Sequence, residues 1–333
     1  MKKVLLLSSL ALLASCEAVV NVPTPAHTPQ LSLLYTLSNQ PINPEYQQYF
    51  YSRNPYVSSS LSTLAITRLQ GRIDATVELY DASGQVVEQF KPDTSARRPI
   101  DYNYGTYLPV RGYVGQPGQA YTLRTSAPGL APLEATLTLP APATIDAASA
   151  TFVTKPQVVA PGAYPFIYDY YGQLSFAILD AAASTDYYAV YARVFDAAGQ
   201  PWGYVYQDYS VRNTEGPDIK LNRFDLSSSN DVYKILPVSD AGRNGQRINF
   251  SQPVGFYSSQ PYNQQRPVPP PPAYLDITVS SLPPATYDFY QSVQRYYDTN
   301  GNPFAEPAPL RSNFVGGYGL FGGATDTTFR IKL

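Results

Sequence analysis

The sequence has very few of the residues from which reactive and metal-binding sites are built. Its 333 residues include one cysteine, one histidine, one methionine and one tryptophan, and only 14% are charged. One cysteine excludes a disulfide within the chain. His27 lies in a proline-rich segment, where we expect nothing to hold it beside a nucleophile, so neither a Ser-His-Asp site nor a His/Cys zinc site is expected. The sequence therefore predicts no catalytic residues, no metal and no cofactor.

Carboxylates remain, and a glycoside hydrolase needs only two of them. The aspartates that could serve are Asp169, Asp180, Asp186, Asp196 and Asp208. Each lies beside a turn signal or a strand end, where aspartate ordinarily accepts backbone hydrogen bonds. A loop with Asp225, Asn230 and Asp231 lacks the spacing of an EF-hand calcium site. We interpret all of them as structural and rank a hydrolase last among the functional hypotheses.

Tyrosine, proline and glycine dominate the composition instead, with 30, 32 and 21 residues. Tyrosine suits a half-buried pleated surface, and proline and glycine separate short strands, so the composition predicts a mainly β fold. The length fits two domains, and we predict two β-sandwich-like domains in tandem. The net charge of −2 disfavours nucleic acid as a partner.

The first residues have the pattern of a secretion signal. Lys2 and Lys3 precede an apolar run over residues 4–14, which is too short to span a bilayer. The run ends in Leu13-Ala14-Ser15-Cys16, which resembles the lipobox of bacterial lipoprotein precursors. The resemblance implies removal of residues 1–15 and attachment of lipid to Cys16. Residues 16–29 are proline-rich and read as an extended tether.

Residues 30–142 have the pattern of an immunoglobulin-like β-sandwich domain. Apolar and polar residues alternate over 73–79 and again over 133–139, as a strand with one buried face requires. The sequence Asp81-Ala82-Ser83-Gly84 predicts a hairpin turn between strands at 73–79 and 85–90. Short strands separated by proline and glycine turns are typical of such sandwiches.

Residues 143–333 are predicted to form a second β-rich domain. It contains the one strong helix signal, over residues 284–298, where Phe289, Val293, Tyr296 and Tyr297 fall on one stripe. Five glycines within residues 312–323 predict a tight turn between this helix and the sheet, with Phe314, Leu320 and Phe321 as buried plugs. A last strand is expected over residues 328–333.

Loop tyrosines are the better functional lead, because they offer contact area at small entropic cost. The candidate binding loop lies between residues 38 and 60. Its aromatic residues are Tyr46, Tyr49, Phe50, Tyr51 and Tyr56. The alternative is that these rings cover strand edges of their own sandwich.

The C-terminal segment resembles the closing motif of uncharacterised Bacteroidota outer-membrane lipoproteins that are found beside TonB-dependent receptors. The motif runs over residues 303–307 and 312–323. Its structural positions are Ser312, Asn313, Gly317, Gly319, Phe321 and Gly322. The resemblance implies an immunoglobulin-like first domain, an outer-membrane location and a receptor partner, and it lends no catalytic residues.

Taken together, these patterns predict a lipid-anchored outer-membrane lipoprotein that is not an enzyme. It is expected to be a binding or accessory subunit of a TonB-dependent receptor or another outer-membrane assembly, on the cell-surface face rather than the periplasmic one. Its partners would be membrane lipid, through acylated Cys16, and that protein complex. The alternative is a stand-alone surface lipoprotein that binds glycan or protein.

Overall fold

In the computed structural model, the described residues form two β-sheets and one helix. They cover residues 26–42, 53–62, 69–95, 98–99, 104–156, 167–207, 237–259, 270–299 and 308–333. The prediction of a mainly β fold with one helix near residues 284–298 is confirmed. Within these ranges, no helix has both the length and the apolar character to cross a bilayer.

The smaller sheet has five strands, all antiparallel, in the order β5-β4-β3-β6-β7. Its strands are β3 (Thr76–Asp81), β4 (Val86–Pro92), β5 (Tyr107–Pro109), β6 (Ala120–Ser126) and β7 (Leu133–Thr138). The alternation in β7 gives a strictly alternating burial pattern. This is the pattern of a strand with one face on a core and one in solvent.

The larger sheet has ten strands, in the order β2-β1-β15-β14-β10-β11-β13-β9-β8, with β12 beside β10. Its first strands are β1 (Leu31–Ser38), β2 (Tyr56–Ser59), β8 (Thr144–Pro156), β9 (Ile167–Leu179) and β10 (Tyr187–Asp196). The others are β11 (Pro201–Gln207), β12 (Val238–Ser239), β13 (Arg247–Ser259), β14 (Pro272–Ser281) and β15 (Tyr318–Lys332). Only β1 and β15 are described as a parallel pair.

The predicted hairpin turn at Asp81 is confirmed, and its local chemistry explains it. Asp81 Oδ1 accepts hydrogen bonds from the backbone nitrogens of Ser83 and Gln85, both at 2.9 Å. Gly84 has a φ of 81°, which costs little without a side chain. Asp196 caps the turn between β10 and β11 in the same way.

The first core lies between the five-stranded sheet and the start of the β1/β15 pair. Tyr35 on β1 stacks on Phe321 of β15, with ring centroids 5.9 Å apart, and meets Phe90 of β4 edge-on at 5.2 Å. Leu31, Leu33 and Leu37 join the same cluster. β15 belongs to the second predicted domain, which begins after residue 142, yet it packs in the core of the first.

The second core is enclosed by the larger sheet alone. Val190 and Val194 of β10 and Ile277 of β14 lie in one cluster with residues of β9 and β13. Phe176 of β9 meets Phe329 of β15 with ring centroids 5.8 Å apart, although four strands separate them in the sheet order. The sheet must therefore curl until its two parts face each other.

Helix α1 (Pro284–Thr299) covers the opposite face of the β1/β15 pair. Phe289, Tyr290 and Val293 are buried and pack with Leu320 of β15. Tyr296, which the sequence predicts on the same stripe, is instead exposed. The β1/β15 pair is thus covered on both faces.

The predicted tight turn over residues 316–323 is wrong, since most of this segment is the first half of β15. A side chain at Gly319 would overlap the Leu33 carbonyl of β1, and Gly319 has a φ of +117°. Gly323 faces Pro283, just before the helix. The glycines therefore allow β1 and the helix to approach one strand, and the predicted plugs Phe314, Leu320 and Phe321 are buried.

We predict that Gly319→Val lowers the melting temperature by several degrees. Valine at positive φ costs about 1–3 kcal/mol before the clash with Leu33 is counted, and each kcal/mol corresponds to about 2–4 °C in a domain of this size class. Circular dichroism melts measure the shift. The control is Val315→Thr in the same segment, where the side chain is 78% exposed. Equal melts for both variants would contradict this role for Gly319.

Candidate functional site

A pocket of about 320 Å³ opens on the face of the larger sheet that points away from the second core. Because successive side chains of a strand point to opposite faces, every second residue lies in the core and the residues between them face the pocket. The strands β10, β14 and β15 supply most of its wall. Its strand residues are Tyr191, Arg193, Phe195, Asp276, Thr278, Asp326, Thr328 and Arg330. The β1–β2 connection supplies residues 40–42 and Arg53.

Asp326 organises the inner end of the pocket. Its Oδ2 lies 2.6 Å from Arg53 Nη2, and the two side chains are only 2% and 9% exposed. Ser280 Oγ donates to Oδ1 at 2.5 Å, and the hydroxyl of Tyr191 lies 3.3 Å from Oδ2. Asn39 bonds both the backbone nitrogen and the carbonyl of Asp326. Asp326 therefore ties both sides of the β1–β2 connection to β15, through its backbone at Asn39 and through its carboxylate at Arg53.

The outer part of the pocket combines arginines with aromatic faces. Arg330 makes a bidentate ion pair with Asp276, at 2.5 and 2.7 Å, and its guanidinium lies 5.3 Å from the Phe195 ring centroid. The Arg193 guanidinium lies 5.3 Å from the Tyr191 ring centroid. A planar guanidinium held over a ring keeps a fixed orientation.

Burial raises the pKa of Tyr191, and the nearby Asp326 carboxylate raises it further. The phenol therefore stays protonated and serves as a hydrogen-bond donor. With arginine donors, the partly buried carboxylate of Asp276 and ring faces, the pocket can bind a small polar ligand by hydrogen bonds and stacking.

The predicted tyrosine loop is described only at its ends. Tyr46, Tyr49, Phe50 and Tyr51 lie outside the described residues. Tyr56 is half-buried at the start of β2, where it pairs with Leu34. The described flanks of this loop, residues 40–42 and 53, line the pocket. Cys16 also lies outside the described residues.

The predicted closing motif contacts its own fold. Asn313 bonds the backbone of Phe321 twice, its Oδ1 accepting from the nitrogen at 3.0 Å and its Nδ2 donating to the carbonyl at 2.8 Å. Ser312 Oγ accepts from the Phe314 nitrogen at 3.2 Å. Gly322 lies close to Thr286 of the helix, and Gly317 to Leu31. These contacts fix the position of β15 relative to β1 and the helix.

The sequence predicts that nothing holds His27 beside a nucleophile. In the structure its Nε2 lies 3.2 Å from the hydroxyl of Ser60. The contact is exposed, and the same hydroxyl accepts a hydrogen bond from the Gln30 nitrogen at 3.0 Å. His27 has no hydrogen-bonded carboxylate among the described residues. The pair fixes the end of the tether beside β2.

Sequence reasoning missed Arg53 and Asp326, the centre of the pocket. They are 273 residues apart, and neither belongs to a recognisable motif. A signal did exist in part: Asp326 interrupts an apolar and threonine-rich strand, where a charge is costly unless it is paired.

Fold and pocket together define a mainly β protein with a pocket lined by arginine and aromatic side chains on one face of its larger sheet. The family described as Domain of unknown function (DUF4249) matches residues 20–330, and the chain belongs to this family. A search of curated proteins finds no match to the chain. The closing motif likewise resembles a family without a characterised function, so the two findings agree.

We predict that Asp326→Asn lowers the free energy of unfolding by about 3–5 kcal/mol, since it leaves the buried Arg53 guanidinium without this carboxylate. Urea denaturation measures the loss. Asp276→Asn removes the same charge from the pair with Arg330, whose side chain is 49% exposed, and should cost less than about 1 kcal/mol. Similar losses in the two variants would show that Asp326 does not hold the pocket together.

Proposed function

We propose that this protein is a lipid-anchored outer-membrane lipoprotein that acts as a non-catalytic binding or accessory subunit of a TonB-dependent receptor or another outer-membrane assembly. The observation that carries this proposal is the position of the pocket relative to the tether. The two features lie at opposite ends of β1. A molecule moored at Cys16 would present its pocket away from the membrane.

The near end of β1 receives the tether. Gln30 bonds Ser60 at the end of β2, and His27 reaches the same serine. Eight residues of strand then separate this end from residues 40–42, a span of about 26 Å at the usual rise per residue. β15 runs parallel to β1 and continues past it, which takes Thr328 and Arg330 still further from the tether.

The contents of the pocket support recognition as its task. Arg193, Arg330 and Asp276 offer charge at the rim, and Asp326 and Tyr191 fix the inner wall. Loops that flank a rigid sheet are common places for binding residues, because the scaffold positions them. The tyrosine-rich connection between β1 and β2 enters and leaves the sheet at this pocket, so its aromatic residues are the proposed contact surface for a protein partner.

The alternative is a stand-alone surface lipoprotein that binds glycan. The guanidinium groups and rings of Phe195 and Tyr274 around Arg330 favour it, since sugars bind through stacking and hydrogen bonds together. The two proposals share the anchor and differ in whether a protein partner occupies the outer surface.

We predict that Cys16→Ala moves the protein from the membrane fraction to the soluble fraction and removes incorporated palmitate. Without the thiol, no lipid can be attached. Fractionation after metabolic labelling measures both effects. His27→Ala, within the tether, is the control and should remain labelled and membrane-bound. A Cys16→Ala protein that stays in the membrane after a high-salt wash would contradict the anchor.

We predict that extraction of native membranes in mild detergent yields the protein in a larger complex with an integral outer-membrane protein. Cross-linking followed by mass spectrometry identifies the contact residues, which should include the segment between residues 39 and 56. Recovery as a free monodisperse protein that binds a glycan array, with loss of binding in Arg193→Ala, would favour the alternative.

A further inference from the structure

Three carboxylates converge at one end of the larger sheet, well away from the pocket. They belong to Asp180, Asp186 and Asp240, and one oxygen from each lies within 4.8 Å of the others. Asp180 follows β9, Asp186 precedes β10 and Asp240 follows β12. Oxygens bound to the same Ca²⁺ at 2.3–2.6 Å can be up to about 5 Å apart, so this spacing is compatible with one shared ion.

Asp240 is the observation that distinguishes this cluster from a chance gathering of acidic residues. Its residue is 0% exposed, yet neither carboxylate oxygen has a hydrogen-bond partner among the described residues. Buried polar atoms are almost always hydrogen-bonded, and a buried charge without compensation is expensive. The side chain points toward Asp180 and Asp186, which carry the same charge.

Other buried carboxylates of this protein show what compensation looks like. Glu88 is 1% exposed and accepts hydrogen bonds from the backbone nitrogens of Gln89, Val110, Arg111 and Tyr113. Asp326 has its arginine and serine partners. Among the described residues, Asp240 is the one buried carboxylate whose two oxygens lack any such donor.

The surrounding loops hold the three carboxylates in place. Tyr188 donates its hydroxyl to Asp180 Oδ1 at 2.7 Å, and the Gly245 nitrogen donates to Oδ2 at 2.9 Å. The Asp240 nitrogen bonds the Asp186 carbonyl at 3.1 Å. Asn244 bonds the Ser184 carbonyl at 2.9 Å, which joins the two loops. Two hydrogen bonds therefore fix the Asp180 carboxylate, and backbone bonding places Asp240 beside Asp186.

The geometry points to a calcium site formed by Asp180, Asp186 and Asp240. Calcium prefers oxygen ligands and readily takes several carboxylates, with water completing the shell. Magnesium usually takes only one or two carboxylates and demands a stricter octahedron. A bound Ca²⁺ would compensate Asp240 and would clamp the β9–β10 connection to the loop that leads into β13.

The sequence predicts no metal here, because the ligands follow no spacing motif. Asp180 and Asp186 appear in it only as structural candidates, and Asp240 is 54 residues further along the chain. Pairing of Val238 and Ser239 with the start of β10 brings Asp240 to the other two. Only the sheet makes them neighbours.

Terbium luminescence and thermal melts of the mature full-length protein in detergent test the site. Tb³⁺ should luminesce on tyrosine excitation, with Tyr188 as the adjacent donor, and Ca²⁺ should displace it with half-effect between about 10⁻⁵ and 10⁻³ M. Ca²⁺ should also raise the melting temperature by several degrees over EDTA, because it binds only the folded state.

Asp240→Asn should weaken Ca²⁺ binding at least tenfold and abolish the shift in melting temperature. In EDTA this variant should melt at or above the wild-type temperature, since it removes repulsion; a purely structural aspartate would give a lower melt. Asp298→Asn, which changes the same charge on the exposed face of α1, is the matched control and should keep the full response. If Asp240→Asn does not fold, Asp186→Asn takes its place.

Two results would overturn the assignment. One is a wild-type protein whose melt is the same in EDTA and in 10 mM Ca²⁺ and which gives no terbium signal. The other is displacement of Tb³⁺ by Mg²⁺ as effectively as by Ca²⁺, which would show a nonspecific acidic surface.

Discussion

The parallel contact between β1 and β15 is the constraint on which the rest of the structure depends. These two strands are the second and third from one edge of the larger sheet. The five-stranded sheet covers one of their faces and α1 covers the other, and both strands contribute to the first core. Their close approach requires Gly319, because any side chain there would meet the Leu33 carbonyl. Parallel strands buried on both faces are almost continuously apolar, and the first half of β15 follows that rule.

The pocket depends on the same contact. β15 leaves β1 after Ala324, and within two residues it presents Asp326 to both ends of the β1–β2 connection. The strand that completes the core thus also forms the inner wall of the pocket. A buried ion pair adds little net stability, but it specifies one arrangement of the chain around it, and here it determines where the connection enters and leaves the sheet.

Local chemistry made much of this fold predictable, and long-range pairing made the rest unpredictable. Alternation over residues 133–139 and the aspartate-glycine turn at 81–84 require no distant partner, so β7 and the β3–β4 hairpin were evident. The glycines of 316–323 were read as a turn because glycine is rare within strands, and only the backbone of β1 explains their presence in one. Arg53 with Asp326, and Asp180 with Asp240, meet only once the larger sheet exists.

The order of synthesis gives the parallel pair a further consequence. Ser32 and Tyr318 are paired although 286 positions separate them, and a ribosome that adds about 5–20 residues per second needs roughly 15–60 s to make the second after the first. Until β15 has been made, β1 is an apolar strand with one unpaired edge, and unpaired strand edges favour aggregation. A premature stop codon that removes β15 would therefore leave β1 without its parallel neighbour and remove Phe321 from the first core.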